Sequence, residues 1–321
     1  MLKNKLLHDY LPKNGAIYGI IFFIVIFSII TNNYLTVSNW NNILRQSAVL
    51  SIITICSFLA LLTNQIDLSV GGIASLAGMV AALLLEQGNS IGTAVFCAIA
   101  VGGLVGLTNG VIVGFTTVPP FIITLAMMSV AQSLGMVLRT ATVGIRHPTF
   151  QFFSHGYIGI IPFPAIVIFV LYFIFWYILR FRRYGTYLYA VGGKEDAALI
   201  AGINVKLVKI SVFLINGIIA AAGGIMLASR VSAANPSFGI GIELDGICAA
   251  VLGGTALTGG RGTIFGALLG AFAMALLRNG MNMMGLRLIT QRLVIGVVLL
   301  IILTIEVLRR KEKKTSNEDK S

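Results

Sequence analysis

Few residues in this sequence are placed to do chemistry, and the clearest polar group opens an apolar segment. Asp67 and Ser69 stand in the run NQIDLSVGG, residues 64–72, directly before a stretch of small and apolar residues. An aspartate there can cap a helix, because its carboxylate accepts hydrogen bonds from backbone N–H groups of the first turn. A charge at bilayer depth costs about 2.5–3.5 kcal/mol and needs partners or water. Asp67 is therefore either a structural cap or a polar group on a translocation path.

Other polar residues inside apolar segments extend this candidate path. The full set of candidates is Asp67, Ser69, Asn109, Thr124 and Asn279. The sequence shows no nucleophile–base pair, no carboxylate dyad and no metal-ligand spacing among its histidines and cysteines. The three cysteines each lie within an apolar run, where a free thiol packs as a small hydrophobic group. We therefore expect a protein that is not an enzyme and that has no cofactor and no metal site.

Two glycine-rich segments could be mistaken for phosphate-binding loops. Residues 253–262, GGTALTGGRG, lack the Gly-Lys-Ser/Thr that a P-loop requires, and Gly192-Gly193-Lys194 is followed by Glu195. We therefore predict that the chain has no ATP site of its own. The 253–262 glycines either form a tight turn between two membrane segments or take part in gating.

The composition identifies the environment in which these residues work. Of 321 residues, 57% are hydrophobic and only 11% are charged, whereas soluble domains have about 25% charged residues. The long apolar runs predict an all-α, polytopic membrane protein. The net charge of +12 is spread over short loops and tails with no aromatic-interleaved patch, so it indicates membrane topology rather than nucleic-acid binding.

We predict ten transmembrane helices in this chain. The first, 16–30, follows a basic segment and has no signal-peptide cleavage site after it, so it should remain in the protein. The third and eighth are short for the ~20 residues that a crossing needs, and they are expected to be tilted, broken or re-entrant. The other nine predicted spans cover about 47–63, 71–85, 91–114, 120–138, 161–180, 207–229, 245–258, 262–279 and 290–308.

Ten crossings place both chain ends on the same side of the membrane. Seven of the 23 Lys and Arg residues then fall on the opposite side, which leaves 16 on the side of the termini. The positive-inside rule makes the side with more positive charge cytoplasmic. The predicted organisation is a cytoplasmic segment 1–15, a membrane domain 16–308 and a charged, disordered cytoplasmic tail 309–321.

Two segments carry glycine at every fourth position, which lets helix backbones approach closely in a membrane. These stripes pack either within one subunit or against a second one. The glycines are Gly102, Gly106, Gly110, Gly114, Gly262, Gly266 and Gly270.

Residues 91–111 and 261–281 also match each other at five positions, including Asn109-Gly110 with Asn279-Gly280. The matching segments lie five spans apart and so should cross in opposite directions. This indicates either an inverted 5+5 repeat with its path at the interface, or chance similarity between glycine-rich helices.

Residues 180–209 form the longest polar interruption in the second half of the chain. Their centre, 195–201, predicts a short helix, with Glu195 and Asp196 at its positive end and Gly202 after it. Such a helix on a basic loop can dock another protein. The alternative is a solvated loop that only sets topology.

Four segments, in this order, resemble the sugar-type ABC importer permeases, the membrane subunits of ribose, xylose, galactose and autoinducer-2 uptake systems. They are IDLSVGG at 66–72, PPFIITL at 119–125, YAVGG at 189–193 and the 243–262 segment from ELD to GGRG. The resemblance implies that loop 181–206 holds the coupling helix that contacts the ATP-hydrolysing subunit. Its candidate contact residues are Gly185, Tyr189, Gly192, Gly193, Glu195, Ala197, Ala198 and Gly202.

The resemblance also implies partners and a location. We expect a permease subunit in a bacterial-type plasma (inner) membrane, paired with an identical or different second permease subunit. Two ATP-binding subunits, or one fused ATPase, should drive it, and an extracytoplasmic substrate-binding protein should deliver the sugar. The alternatives are a branched-chain amino-acid or nucleoside permease of the same superfamily, and a secondary transporter acting alone. The YAVGG segment favours the sugar group, and the scarcity of intramembrane charge disfavours a proton-coupled carrier.

Overall fold

A computed structural model describes residues 15–287, 289–298, 300–301 and 304. The predicted terminal segments, 1–15 except for its last residue and 309–321, lie outside these residues. The described chain is predominantly helical, as predicted. The helices are α1 Gly15–Ile30, α2 Val37–Leu62, α3 Ser69–Glu86, α4 Ile91–Phe115, α5 Pro120–Leu138, α6 Pro148–His155, α7 Phe163–Phe181, α8 Arg183–Gly193, α9 Glu195–Ile200, α10 Val205–Val231, α11 Ile242–Leu252, α12 Ile264–Met283 and α13 Ile289–Val298.

Seven helices of the described chain are long and apolar enough to cross a membrane: α2, α3, α4, α5, α7, α10 and α12. The apolar helices α1 and α13 are shorter in the described residues. The predicted eighth span, 245–258, is wrong in its extent, because α11 has 11 residues and ends at Leu252. At a rise of 1.5 Å per residue, α11 is about 16 Å long, roughly half of the hydrocarbon layer.

The predicted coupling loop is more helical than the sequence indicated. The short helix expected at 195–201 is α9, and Gly202 follows it with a φ of +78°. The preceding residues, expected to be a loop, form α8 instead. Helix α8 ends at Gly193, and only the extended residue Lys194 separates it from α9. We call α8 and α9 together the α8–α9 hairpin.

Helix α2 forms the centre of the molecule. Every residue from 47 to 62 is buried, and α2 packs against α7, α10, α11 and α12. In contrast, α5 and α7 turn most of their apolar side chains outward, as expected for helices that face lipid or another subunit. Because α2 is central, a displacement of α2 would change its packing contacts with all four of these helices.

The glycine stripes bring helices of the same chain together. The four stripe glycines of α4, Gly102, Gly106, Gly110 and Gly114, lie against α10, where a Cβ added to Gly102 would be 2.5 Å from the carbonyl oxygen of Gly217. Gly266 and Gly270 of α12 lie in the same way against α11. Gly262 was wrongly assigned to the helical stripe, because it precedes α12 and has a φ of +149°. Close backbone contact therefore joins α4 to α10 and α11 to α12.

Four two-residue strands form two antiparallel ladders. They are β1 Val143–Gly144, β2 Tyr157–Ile158, β3 Ile161–Pro162 and β4 Ala233–Ala234. The β1–β4 ladder joins the residues after α5 to the residues after α10, and β2 with β3 forms a hairpin before α7. These ladders lie at the bundle end opposite the α8–α9 hairpin, since α10 runs from that hairpin to β4.

Helix α4 offers a test of this packing within one element. In Gly106→Val the new Cβ would lie 2.9 Å from Gly217 Cα and nearer still to Phe213 O, whereas in Gly92→Val the nearest atom is 3.8 Å away. Overpacking costs about 1–3 kcal/mol. We expect Gly106→Val to lower the thermal unfolding midpoint of the detergent-solubilised protein by several degrees, and Gly92→Val to leave it unchanged. Equal midpoints for the two variants would contradict the α4–α10 contact.

Candidate transport and coupling sites

Asp67 is the centre of a buried hydrogen-bond network. Its Oδ1 accepts bonds from the backbone N–H of Ser69, at 3.0 Å, and from the Ser69 hydroxyl, at 2.6 Å. Its Oδ2 accepts a bond from the Asn216 amide at 3.0 Å. The Asn109 amide donates to the Ser69 hydroxyl at 2.8 Å. The network therefore ties the segment before α3 to both α4 and α10.

Thr124 fixes the backbone on the other side of this segment. Its hydroxyl accepts a bond from Leu68 N–H at 3.1 Å and lies 3.2 Å from the carbonyl oxygen of Ile66. Asn216 stands about 16 Å along α10 from Val205, at 1.5 Å per residue. Since Asn216 contacts Asp67, α3 begins well inside the helix bundle. Asp67, which the sequence predicted to cap a helix, therefore lies at the start of a helix that begins in the protein interior.

Asn279 lies apart from the other four predicted path residues. It forms a reciprocal amide pair with Asn39, with N···O distances of 2.9 and 3.1 Å. All five predicted path residues are almost fully buried, and none lines the cavity that Arg230, Glu243 and Arg278 border. Four of the predicted residues therefore belong to the hydrogen-bond network around Asp67, whereas Asn279 belongs to a separate pair with Asn39. In both groups the hydrogen bonds connect different helices.

A cavity of about 580 Å³ lies among α2, α10, α11, α12 and α13. Arg230 and Asn282 line it from the last turns of α10 and α12, so it stands toward the bundle end opposite the α8–α9 hairpin. Eight polar side chains contribute to its wall: Gln46, Arg230, Glu243, Asp245, Arg278, Asn282, Gln291 and Arg292. Five of these side chains are charged, and they come from α10, α11, α12 and α13.

The acidic residues of this cavity sit in the first turn of α11. Asp245 forms an ion pair with Arg278 of α12, and both carboxylate oxygens of Glu243 accept bonds from Gly241 N–H, at 3.0 and 3.1 Å. Negative charge suits the positive end of a helix. Sequence reasoning placed these groups at span ends and missed the site. The sequence did contain a pattern that indicates this site: charged residues stand near the adjoining ends of consecutive apolar segments.

The α8–α9 hairpin is held on the bundle by backbone contacts. Gly260 N–H donates to Leu62 O at 2.9 Å, and the Tyr189 hydroxyl donates to Gly262 O at 2.9 Å. A Cβ on Gly192 would overlap Leu62 O and lie 2.8 Å from Gly260 N. Only glycine fits at this point. The end of α8, the end of α2 and the loop before α12 therefore meet at one junction, which we call the glycine junction.

Further side chains attach the hairpin to α10. The Tyr184 hydroxyl lies 2.8 Å from Ser211 Oγ, and Lys209 forms a 2.8 Å ion pair with Glu195. Burial raises the pKa of Tyr184, partly offset by the bond to Ser211, so this hydroxyl stays neutral at ordinary pH. These bonds fix the orientation of both hairpin helices on the start of α10.

The predicted coupling residues divide between the bundle and the surface. Gly185, Gly192 and Ala198 are buried, while Gly193, Glu195, Ala197 and Gly202 are exposed. Sequence reasoning missed two apolar side chains at the end of α9: Leu199 is 54% exposed and Ile200 is 89% exposed. These two adjacent side chains form an exposed apolar patch, and such patches occur at protein contact sites.

The Asp67 network predicts a stability effect. Asp67→Ala removes the acceptor of three donors, and each buried unpaired polar group costs about 1–3 kcal/mol. We expect a markedly lower thermal midpoint for the purified variant. Glu86→Ala is the matched control, since the Glu86–Arg139 pair is exposed and such pairs contribute about 0–1 kcal/mol. A midpoint for Asp67→Ala as high as that of the control would contradict the structural role of the network.

Comparison with known proteins identifies the family. A family model described as branched-chain amino acid transport system / permease component matches residues 39–303. The chain is 36% identical over 302 residues to the ribose import permease protein RbsC of Escherichia coli (strain K12), which covers 92% of this chain and 94% of that protein. It is 34% identical over 288 residues to the D-allose transport system permease protein AlsC of the same strain, covering 88% of each.

A third relative is the L-arabinose ABC transporter permease protein AraH of Azospirillum brasilense, 32% identical over 303 residues, or 94% of this chain and 89% of that protein. No solved structure matches. These matches confirm the predicted resemblance to sugar-type ABC importer permeases and, with the seven apolar helices, a multi-pass protein of the bacterial inner membrane. The chain belongs to the branched-chain amino acid transport system / permease component family.

Proposed function

We propose that this chain is the membrane-spanning permease subunit of an ABC importer and forms the translocation path for a sugar. The observation that carries the proposal is the α8–α9 hairpin. It presents the apolar end of α9 outward and is locked to the bundle at the glycine junction. Relatives that transport ribose, allose and arabinose match nearly the whole chain, which supports a sugar as the solute.

In this proposal the α8–α9 hairpin faces the cytoplasm and binds a separate ATP-binding subunit. Both termini are then cytoplasmic, and ten segments enter or cross the membrane. Of these, α3 and α11 both begin in the interior of the bundle. The excess of Lys and Arg on the hairpin side supports this orientation. An extracytoplasmic binding protein docks at the opposite end, and a second permease subunit completes the membrane part.

The contacts of the hairpin suggest how its movement reaches the path. The glycine junction holds Leu62, five residues before Asp67, and Gly260, eight residues after the end of α11. A push on α9 by a closing ATPase would therefore displace the segments attached to both α3 and α11. Gly71 of α3 packs against Gly239, which precedes α11, and against Glu243 in the first turn of α11. The meeting of two helix starts in the interior supports the inverted 5+5 arrangement.

The second candidate function is transport of a branched-chain amino acid, which the description of the matching family model favours. Uptake of radiolabelled sugars and of leucine, isoleucine and valine by the same reconstituted complex separates the two. Uptake of the amino acids alone would favour the second candidate.

The complex itself tests the proposal. The chain should co-purify with an ATP-binding subunit encoded beside it. Together with a binding protein, it should then import D-ribose, D-allose or L-arabinose into proteoliposomes only when ATP hydrolysis is allowed. Accumulation of a sugar by the chain alone, without nucleotide, would show a secondary transporter instead.

A pair of glycines provides a coupling test. Gly192→Val forces the glycine junction apart, whereas in Gly19→Val, in α1 and away from the hairpin, no atom of the described residues lies within 4 Å of the new Cβ. We expect Gly192→Val to lower ATP-driven uptake at least tenfold while the complex still inserts and co-purifies, and Gly19→Val to retain uptake within about twofold. Similar uptake by both variants would argue against transmission through the glycine junction.

A further inference from the structure

We infer that the charged cavity among α2, α10, α11, α12 and α13 is the site at which a monosaccharide binds inside the membrane subunit. The inference rests on the proposed function and adds a place and a chemistry to it. Nothing in the family match or in the predicted path residues points to this cavity. Its volume of about 580 Å³ falls within the 300–1,000 Å³ of small-molecule sites.

The side chains of the cavity match the chemistry of a polyol. Each sugar hydroxyl both donates and accepts hydrogen bonds, so its site needs acceptors and donors together. Carboxylates supply only acceptors and guanidinium groups only donors, and this cavity holds two of the former and three of the latter. Phe238, 37% exposed, adds an apolar surface against which the C–H face of a sugar ring can pack.

The arginines have donor capacity that the protein does not use. Arg278 pairs with Asp245, yet its Nε is buried without a hydrogen-bond partner. Among the described residues, the exposed side chain of Arg292 makes one long bond of 3.4 Å, to the carbonyl oxygen of Ile240. No hydrogen bond or ion pair joins Arg230 to another described residue. The buried Nε of Arg278 costs free energy while it is unpaired. A ligand with several hydroxyls can satisfy it on binding and can also accept hydrogen bonds from Arg230 and Arg292.

The position of the cavity connects it to both ends of the transport cycle. It lies toward the bundle end opposite the α8–α9 hairpin, where the proposed binding protein would release its sugar. Its wall includes the first turn of α11, with Glu243 and Asp245. The other end of α11 leads into the loop that the glycine junction holds. Movement of the hairpin would therefore reach the acidic residues that contact the sugar.

Gly296 makes the cavity testable by obstruction. It lines the cavity from α13, and no atom of the described residues lies within 4 Å of a Cβ added there. The same holds for a Cβ added to Gly19 of α1, but Gly19 does not line the cavity. The pair Gly296→Phe and Gly19→Phe therefore introduces the same side chain into two open helical positions, of which only one faces the proposed site.

The experiment uses the complete complex, with its ATP-binding subunits and binding protein, in proteoliposomes. Uptake of radiolabelled D-ribose, D-allose and L-arabinose is measured. For a sugar that the unchanged complex imports, we expect Gly296→Phe to lower the maximal rate at least tenfold and Gly19→Phe to keep it within twofold. Rates for Gly296→Phe that equal those of Gly19→Phe would overturn the inference.

A second pair of variants removes hydrogen-bond donors and leaves the cavity unfilled. It tests the inference even if the Gly296→Phe complex does not assemble. Arg230→Gln should raise the KM for uptake at least fivefold, because donors to the sugar are lost. Arg139→Gln removes an exposed arginine outside the cavity and should leave the KM unchanged. An unaltered KM in Arg230→Gln would overturn the inference while the proposed function stands. Absence of ATP-dependent sugar uptake by the unchanged complex would instead overturn the proposed function itself.

Discussion

The contact at Leu62, Gly192 and Gly260 brings three backbone segments closer than any side chain would allow. It joins the end of the most buried helix, the end of α8 and the loop that follows α11. Because the close packing of protein interiors transmits displacement rather than absorbing it, the α8–α9 hairpin cannot shift independently of α2. Every proposed step of transport, from the push on α9 to the change around the cavity, passes through this contact.

A second constraint comes from placing helix starts inside a membrane protein. The first turn of a helix leaves unpaired N–H groups, and lipid offers them no water. The segment before α3 meets this requirement with Asp67, Ser69 and Thr124, whose bonds also reach α4 and α10. At α11 the carboxylates of Glu243 and Asp245 lie in the first turn of the helix. Both helix starts therefore carry acidic groups for a structural reason, and at α11 the same groups also border the cavity.

That difference separates a structural polar cluster from a candidate binding site. Around Asp67 the carboxylate accepts three hydrogen bonds from Ser69 and Asn216, and the residues of this network do not line the cavity. Around Asp245 the arginines exceed the carboxylates and the wall is open, so hydrogen-bonding capacity remains. The distinction depends on cavity volume and on unused donors, and residue type alone does not reveal it.

Much of this protein follows from its amino-acid sequence. Long apolar runs determined that it is a helical membrane protein, and local motifs determined its family, the helix at 195–200 and the absence of a P-loop. These properties depend on neighbours in the chain, which sequence patterns report directly. The tertiary structure decided that Asn279 is separate from Asp67, that Gly262 lies outside its helix and that α11 spans only about 16 Å. It also decided that arginines from α10, α12 and α13 face the carboxylates of α11 in one cavity, because such a site is made by helix packing between residues that are distant in the chain.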